Sequence, residues 1–333
     1  MSESRPPIFE ALIRLVSLGV AVRRRFLGPR RASWSPDLEA AFAVLHGWAG
    51  LSSWMPVTVQ RRGARMVTRV SPHARTSRFE AARLAGVSGH WCERDDVDSK
   101  RVLLYLHGGG YTFGGLDTHR DLVSRLAQAC RARVFLLEYR LAPEDPFPAA
   151  PEDCLAAYRA LLDQGTEPEH LVVGGESAGG GLTLSTLVSA RDQGWPLPAA
   201  GVLISPWLDL TSESPSIRRN SGTDYLNLRM LEACARAYTT EAERRDPRAS
   251  PLFAELSGLP PLLVQAGDAE AILDDATRIA HLSRRAGVET TLEVWPDMIH
   301  AWHIFASFVP EGDQAIARVG EFVRGHTPTS LGA

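Results

Sequence analysis

The sequence lacks the features that mark several special classes of protein. It has only four cysteines, and the two nearest in sequence, Cys130 and Cys154, lie 24 residues apart. This spacing excludes CxxC redox motifs and zinc ribbons. A chain of 333 residues can bury a large core without disulfides, so we expect reduced thiols and a cytoplasmic protein. The chain has no run of about 18 consecutive apolar residues, so no transmembrane helix is predicted.

An excess of charge of one sign is also missing from the chain as a whole. The 36 basic and 39 acidic residues give a net charge of −3, and Lys100 is the only lysine. Residues 1–85 nevertheless hold 14 arginines against 5 acidic residues (+9), which leaves −12 for the rest. We interpret this split as a basic segment lying on an acidic body. We expect no nucleic-acid partner, because no nucleic-acid-binding motif accompanies the arginines.

The first apolar stretch, residues 8–20, has the pattern of neither a signal peptide nor a membrane span. Glu10 and Arg14 interrupt it, and Arg23 to Arg25 follow it, which reverses the order of a signal peptide. Its spacing predicts an amphipathic helix. Most such helices face a protein core, so we expect this one to dock on its own protein rather than on a membrane. With a second predicted helix at 37–48, it forms a helical N-terminal segment, residues 1–85.

From about residue 100 the patterns of strand and helix alternate. The predicted strands are 102–107, 134–139, 171–174, 200–205, 261–266 and 290–295, and the predicted helices are 119–130, 151–164, 178–192, 274–286 and 314–324. This alternation predicts an α/β fold with a mostly parallel sheet and helices on both faces. Ligands of such folds bind at the carboxyl ends of the strands. The polar stretch 207–250, with a helix at 228–238, interrupts the alternation and is predicted to be an insertion over that edge.

A G-x-S-x-G sequence at residues 175–179 follows one predicted strand and begins a helix. This is the context of a nucleophile elbow, in which a strained turn exposes Ser177 at a helix N-terminus. Gly175 and Gly179 flank the serine because bulky neighbours would not fit the turn. A turn without chemistry is the alternative. The predicted strand before this turn and the predicted helix after it favour Ser177 as a nucleophile.

Three consecutive glycines end the strand at 102–107. In the sequence His107-Gly108-Gly109-Gly110, the glycines let the backbone approach a ligand and turn its N–H groups inward. Such donors stabilise the oxyanion of a tetrahedral intermediate. A phosphate-binding loop is the alternative, but neither G-K-[ST] nor GxGxxG follows. We interpret His107 as a scaffold of this loop.

These segments resemble those of the bacterial hormone-sensitive-lipase-like esterases, a branch of the α/β-hydrolase superfamily. The resemblance extends from about residue 100 to residue 305 and follows the family order at residues 107–110, 139–148, 175–180, 205–210, 249–261 and 295–300. It implies an α/β-hydrolase catalytic domain at 86–333, capped by residues 1–85 and by the insertion 207–250. The implied oxyanion donors are the N–H groups of Gly109, Gly110 and Ala178. Glu176 stands where aspartate is commoner, and we expect this to change a local hydrogen bond only.

The chemistry also requires a histidine after the last strand. His300 follows the strand 290–295 by five residues and fits the general base. His303, His281 and His119 are the competitors, but their positions fit less well.

The acid that orients the histidine should follow the strand 261–266. The family run D-P-L-x-D reads Glu270-Ala-Ile-Leu-Asp274 here, which places Glu270 in the acid position. Asp268 is the runner-up. We expect Asp274 and Asp275 to cap and start the next helix.

Aromatic residues and acidic groups complete the set of candidates. Tyr111 and Trp207 are candidates for an apolar substrate pocket, as are Phe113, Trp34, Trp48 and Trp54. Asp153 and Asp209 are interpreted as structural, and neither a metal nor any other cofactor is expected.

The sequence therefore predicts a serine carboxylesterase that hydrolyses short- to medium-chain esters with water. Lactone hydrolysis and deacetylation of a specialised metabolite are alternatives that use the same groups. A non-catalytic receptor of this fold is a third, which the presence of His300 disfavours. A homodimer is neither predicted nor excluded.

Overall fold

The structure is a computed structural model that describes residues 7–31, 33–52, 55, 57, 61, 77–307 and 309–329. For residues 7–15, 48, 49, 51 and 52 it describes the backbone only. The strands are β1 (Arg78–Leu84), β2 (Val87–Glu93), β3 (Asp98–Leu106), β4 (Ala132–Leu137), β5 (Leu171–Glu176), β6 (Ala200–Ile204), β7 (Leu262–Gly267) and β8 (Thr290–Trp295). They form one sheet in the order β1-β2-β4-β3-β5-β6-β7-β8. The pairs β1–β2 and β2–β4 are antiparallel, and all other neighbours are parallel.

Helices cover both faces of this sheet. They are α1 (Pro7–Leu27), α2 (Pro36–Ser52), α3 (Leu116–Cys130), α4 (Ala149–Asp163), α5 (Ala178–Asp192), α6 (Ser216–Arg219), α7 (Leu228–Tyr238), α8 (Leu273–Arg285) and α9 (Pro310–His326). Helices α4, α5 and α8 pack on one face, and α3 and α9 pack on the other. Successive residues of β3 alternate between these two cores, with Leu104 in the first and Leu103 in the second, as the two-residue period of a strand requires. The predicted α/β fold with a mostly parallel sheet is confirmed.

The first two strands were not predicted. β1 and β2 lie at the edge of the sheet, and β1 carries Arg78, Glu80 and Arg83 in largely exposed positions. Charged side chains protect an edge strand from pairing with other chains, and here they hide the strand pattern. The boundary expected at residue 85 falls in the turn between β1 and β2. The sheet itself begins at Arg78.

The segment before β1 contacts the sheet domain through arginines outside α1 and α2. The Arg31 guanidinium donates to the Asp297 carboxylate at 2.6 Å, and the Arg61 guanidinium lies 2.6 Å from a Glu144 carboxylate oxygen. The indole of Trp34 donates to the Asp297 carbonyl oxygen at 2.6 Å. These contacts agree with a basic segment lying on an acidic body. Among the described helices, none is both long and apolar enough to span a bilayer.

Candidate active site

Ser177 lies at the carboxyl end of β5, in the turn that leads into α5. Its backbone has φ 57° and ψ −121°, a conformation that is rare for a residue with a side chain and costs on the order of 1–3 kcal/mol. The Ser177 N–H donates to the Ile204 carbonyl oxygen at 2.9 Å, and its own carbonyl accepts from the Trp207 N–H at 2.9 Å. These bonds to the end of β6 hold the turn. Ser177 is half-buried while its neighbours are buried, so the strain presents its hydroxyl at the edge of the sheet.

The two glycines that flank Ser177 are required by close packing. A Cβ on Gly175 or on Gly179 would overlap the Leu106 carbonyl oxygen at the end of β3. Any larger residue would therefore push β3 away from the turn and displace Ser177.

The glycine loop after β3 lies directly against this turn. A Cβ on Gly108 would lie 3.1 Å from the Ser177 Cβ. Gly109 and Gly110 have φ of 114° and 56°, which glycine adopts without penalty. Among the described residues, no hydrogen-bond acceptor is found for the N–H groups of Gly109 and Gly110. Two donors beside the serine are thus available to an incoming oxygen.

Glu176 joins the glycine loop to the nucleophile turn. Its buried carboxylate accepts hydrogen bonds from the Gly108 N–H and the Tyr105 hydroxyl, and it lies 2.6 Å from the His119 Nε2. Burial raises the pKa of Glu176, but the charge and hydrogen bond of His119, with the other donors, outweigh it and lower the pKa below its ordinary value. The carboxylate therefore stays ionised and fixes the spacing between the glycine loop and the turn at Ser177.

His300 follows β8 and lies beside the end of β7. Its Nδ1 is 3.1 Å from the Glu270 Oε2, and both side chains are buried. The Glu270 Oε1 accepts from the Ser205 hydroxyl at 2.6 Å and from the Gly267 N–H at 2.6 Å. The Ser205 Oγ in turn accepts from the Ala301 N–H at 3.1 Å. The acid, the histidine loop and the end of β6 are thus held by one hydrogen-bond network.

The pKa of His300 reflects this pair. Burial lowers the pKa, but the hydrogen bond and charge of Glu270, with the charges of Asp224 and Glu176, raise it above the ordinary 6.5. His303 is buried against Gln265, and burial lowers its pKa to about 3. His281 is exposed on α8. Of the four candidate histidines, the one that contacts a carboxylate at the end of β7 is His300.

The remaining acidic candidates point elsewhere. Asp268 is half-exposed and accepts from the Asp297 N–H at 2.7 Å. Asp274 accepts from the Ser216 N–H at 2.8 Å, and Asp275 from the Leu208 N–H at 2.8 Å. As expected, both lie in the first turn of α8, but our expectation that they cap it was wrong, because the residue before α8 is Ile272 and makes no side-chain cap. Both aspartates instead bind the insertion that follows β6.

Sequence reasoning missed Asp224, which the insertion 207–250 contributes to the site. Its buried Oδ1 accepts from the His300 N–H at 3.2 Å, and its Oδ2 accepts from the Ala271 N–H at 2.8 Å. Burial and the charge of Glu270 raise its pKa to about 6, although the charge of His300 lowers it. No local motif marks this residue, since its partners lie 47 and 76 positions away.

The predicted pocket aromatics lie deeper than expected. Tyr111 and Trp207 are each 1% exposed and pack beneath the glycine loop, where Tyr111 stacks on Tyr238 at 3.9 Å between ring centroids. Phe113 is half-buried in that loop, whereas Trp34 is buried against Phe42. The side chains of Trp48 and Trp54 lie outside the described residues.

A cluster of potential metal ligands lies at the opposite edge of the sheet. Glu167, Glu169 and His170 form the one cluster of potential metal ligands among the described residues, and it lies just before β5 begins. Ser177 follows the other end of that strand. The cluster is therefore remote from the serine. Asp153 and Asp209, interpreted above as structural, bind Arg140 and Arg278.

Comparison with known families agrees with this geometry. Residues 103–304 match the family model described as alpha/beta hydrolase fold. The chain is 46% identical over 232 residues to an acetyl-hydrolase of Streptomyces hygroscopicus. The aligned region covers 69% of this chain and 78% of the relative.

Solved structures give the same result over most of the chain. An esterase from the bacterial hormone-sensitive lipase family superposes with a TM-score of 0.83 at 42% identity, covering 89% of this chain and 100% of that one. The esterase EstE5, in crystals soaked with p-nitrophenyl butyrate, superposes with a TM-score of 0.80 at 39% identity. The superposition covers 96% of this chain and 99% of EstE5.

Proposed function

The chain belongs to the alpha/beta hydrolase fold family, in its bacterial hormone-sensitive-lipase-like branch, and from that premise we propose how its residues divide the catalytic work. The protein is a carboxylic ester hydrolase. The observation that carries the proposal is the buried pair of His300 and Glu270, at the same sheet edge as the strained Ser177.

In the first half of the reaction, Ser177 is the nucleophile. The Nε2 of neutral His300 takes the proton of the Ser177 hydroxyl while the Ser177 Oγ attacks the ester carbonyl. Glu270 accepts the Nδ1–H of His300, which fixes the tautomer and stabilises the imidazolium that forms. The N–H groups of Gly109, Gly110 and Ala178 receive the oxyanion, each contributing on the order of 3–4 kcal/mol.

In the second half, water releases the acyl group. Before that, the imidazolium gives its proton to the oxygen of the leaving alkoxide, and the alcohol departs to leave an acyl-enzyme on Ser177. His300 then takes a proton from a water molecule as it attacks the acyl carbonyl, and the same donors hold the second oxyanion. When this intermediate collapses, the imidazolium returns the proton to the Ser177 Oγ and the carboxylic acid departs. No cofactor takes part in these steps. The four cysteines are free, which supports a reducing compartment such as the cytoplasm.

The insertion 207–250 supports a preference for small esters. A Cβ on Gly110 would lie 2.7 Å from the Sγ of Cys234 in α7, and the ring of Tyr225 lies 5.9 Å from that of His300. The insertion thus covers both the glycine loop and His300. We propose that it acts as a cap with the helices before β1, and that it restricts the acyl chain.

A panel of p-nitrophenyl acetate, butyrate, octanoate and palmitate tests this preference. We expect kcat/KM for butyrate to exceed that for palmitate at least about tenfold, because a long chain must displace the cap. A γ-lactone and an acetylated amino compound belong in the same panel, since the acetyl-hydrolase relative makes deacetylation the second candidate activity. Equal rates on butyrate and palmitate would contradict the cap proposal.

Asp224 provides a prediction about pH. His300 must be neutral to accept a proton, so activity falls on the acid side with a pKa above 6.5. Asp224→Asn removes a negative charge beside His300 while keeping the side-chain volume. The charge of Asp224 raises the pKa of His300, so we expect the acid limb of kcat/KM to shift to lower pH in the variant and kcat to fall about tenfold.

Asp274→Asn is the matched control for this experiment. Asp274 also ties the insertion to α8, through Ser216 and Arg219, but it does not contact the His300 loop. A shift of the acid limb in both variants, or in neither, would mean that Asp224 acts only by holding the insertion in place.

A further inference from the structure

Helix α1 carries an apolar stripe that no described part of the protein covers. Leu18, Val22 and Phe26 follow one another at four-residue intervals, which places them on one face, and they are 64%, 51% and 77% exposed. Isolated exposed apolar residues are ordinary, but three in succession along one face of a single helix mark an interaction surface.

The opposite face of α1 explains how the helix is held. Val20 is buried, and the guanidinium groups of Arg23 and Arg24 lie 2.7 and 2.8 Å from the buried Glu39 carboxylate of α2. Docking through these residues leaves the stripe on the outside. The stripe is therefore a consequence of how α1 is anchored.

The charge around the stripe indicates what covers it. Residues 16–31 contain five arginines and no acidic residue. Three of them, Arg23, Arg24 and Arg30, converge on the single carboxylate of Glu39, so most of their positive charge is not balanced there. Arg25 is exposed beside the stripe and has no ion-pair partner among the described residues.

We propose that α1 docks on an anionic lipid surface, with the stripe in the acyl boundary and the surplus arginines at the headgroups. An apolar helix face beside basic residues is the arrangement that binds such interfaces. A second copy of the chain fits less well, because a symmetric contact between two α1 helices would bring the same unbalanced arginines together. This inference is independent of the catalytic roles above.

Vesicle sedimentation of the full chain tests the proposal. Vesicles of phosphatidylglycerol and phosphatidylcholine should bind the protein, and vesicles of phosphatidylcholine alone should bind it much less. Leu18→Gln with Phe26→Gln should reduce binding at least about tenfold, and Arg25→Gln about fivefold. Leu282→Gln, which changes an apolar residue of α8 that is 38% exposed, is the control and should bind like wild type. Far-UV circular dichroism and thermal unfolding should be unchanged in all variants, which shows that they fold.

Three results would overturn the proposal. The first is no binding of the wild type to the anionic vesicles. The second is equal binding by the double variant. The third is a dimer in solution that the double variant abolishes, because a second copy would then be the partner of the stripe.

Discussion

Ser177→Ala is expected to lower kcat/KM for p-nitrophenyl butyrate by about 10⁴-fold or more. The alanine keeps the turn at φ 57° and removes only the atom that attacks the ester. What remains is the activity that bound water gains from the oxyanion donors. The measurement is steady-state hydrolysis, with active sites counted by a fluorescent alkyl-phosphonate that labels an activated serine.

Ser189→Ala on the same helix is the control for this substitution. Ser189 is half-buried on α5 and lies more than two turns beyond the nucleophile. It should retain wild-type turnover and phosphonate labelling. Hydrolysis by Ser177→Ala at more than a few per cent of wild type, with labelling retained, would mean that another residue is the nucleophile.

Glu270→Gln is expected to lower kcat by about 10³- to 10⁴-fold, with little change in KM. The glutamine has nearly the same shape but no charge to stabilise the imidazolium, and its amide can hold His300 in the wrong tautomer. Asp268→Asn should change kcat by less than about threefold. Its carboxylate is half-exposed and binds the Asp297 N–H rather than His300, a bond that asparagine can still accept.

The comparison between these two variants decides which residue is the acid. Far-UV circular dichroism and thermal unfolding of both proteins serve as controls, because Glu270 is buried and also binds Ser205 and Gly267. A larger loss in Asp268→Asn than in Glu270→Gln, with both proteins folded, would reverse the assignment.

Local chemistry made most of the fold predictable. The inner strands of the sheet are largely apolar because helices cover both of its faces, as in the buried runs of β5 and β6. The turn at Ser177 requires glycine at positions 175 and 179, which lie close to the serine in the sequence and can be recognised there. β1 was missed for the opposite reason, since its largely exposed, charged pattern is that of an edge rather than of a core.

Relations between distant residues could not be read from the sequence in the same way. Glu270 and Asp268 both follow β7, and in the sequence only the resemblance to the family run favours Glu270. The contact with His300 that distinguishes them depends on the three-dimensional position of the His300 loop. Asp224 lies on a polar insertion, and its role depends on two N–H groups from other loops. The outward face of α1 depends on Glu39, whose attraction for Arg23 and Arg24 fixes the rotation of the helix.

The buried carboxylate of Glu176 also has a consequence for heat inactivation. Because it binds Gly108 on one side and belongs to the nucleophile turn on the other, the two catalytic loops form one mechanical unit. Neither can loosen while the other stays rigid without leaving a buried charge unsatisfied, which is strongly unfavourable. Activity should therefore persist until the sheet itself melts, and the enzyme should pass from active to unfolded with no inactive but still folded stage between.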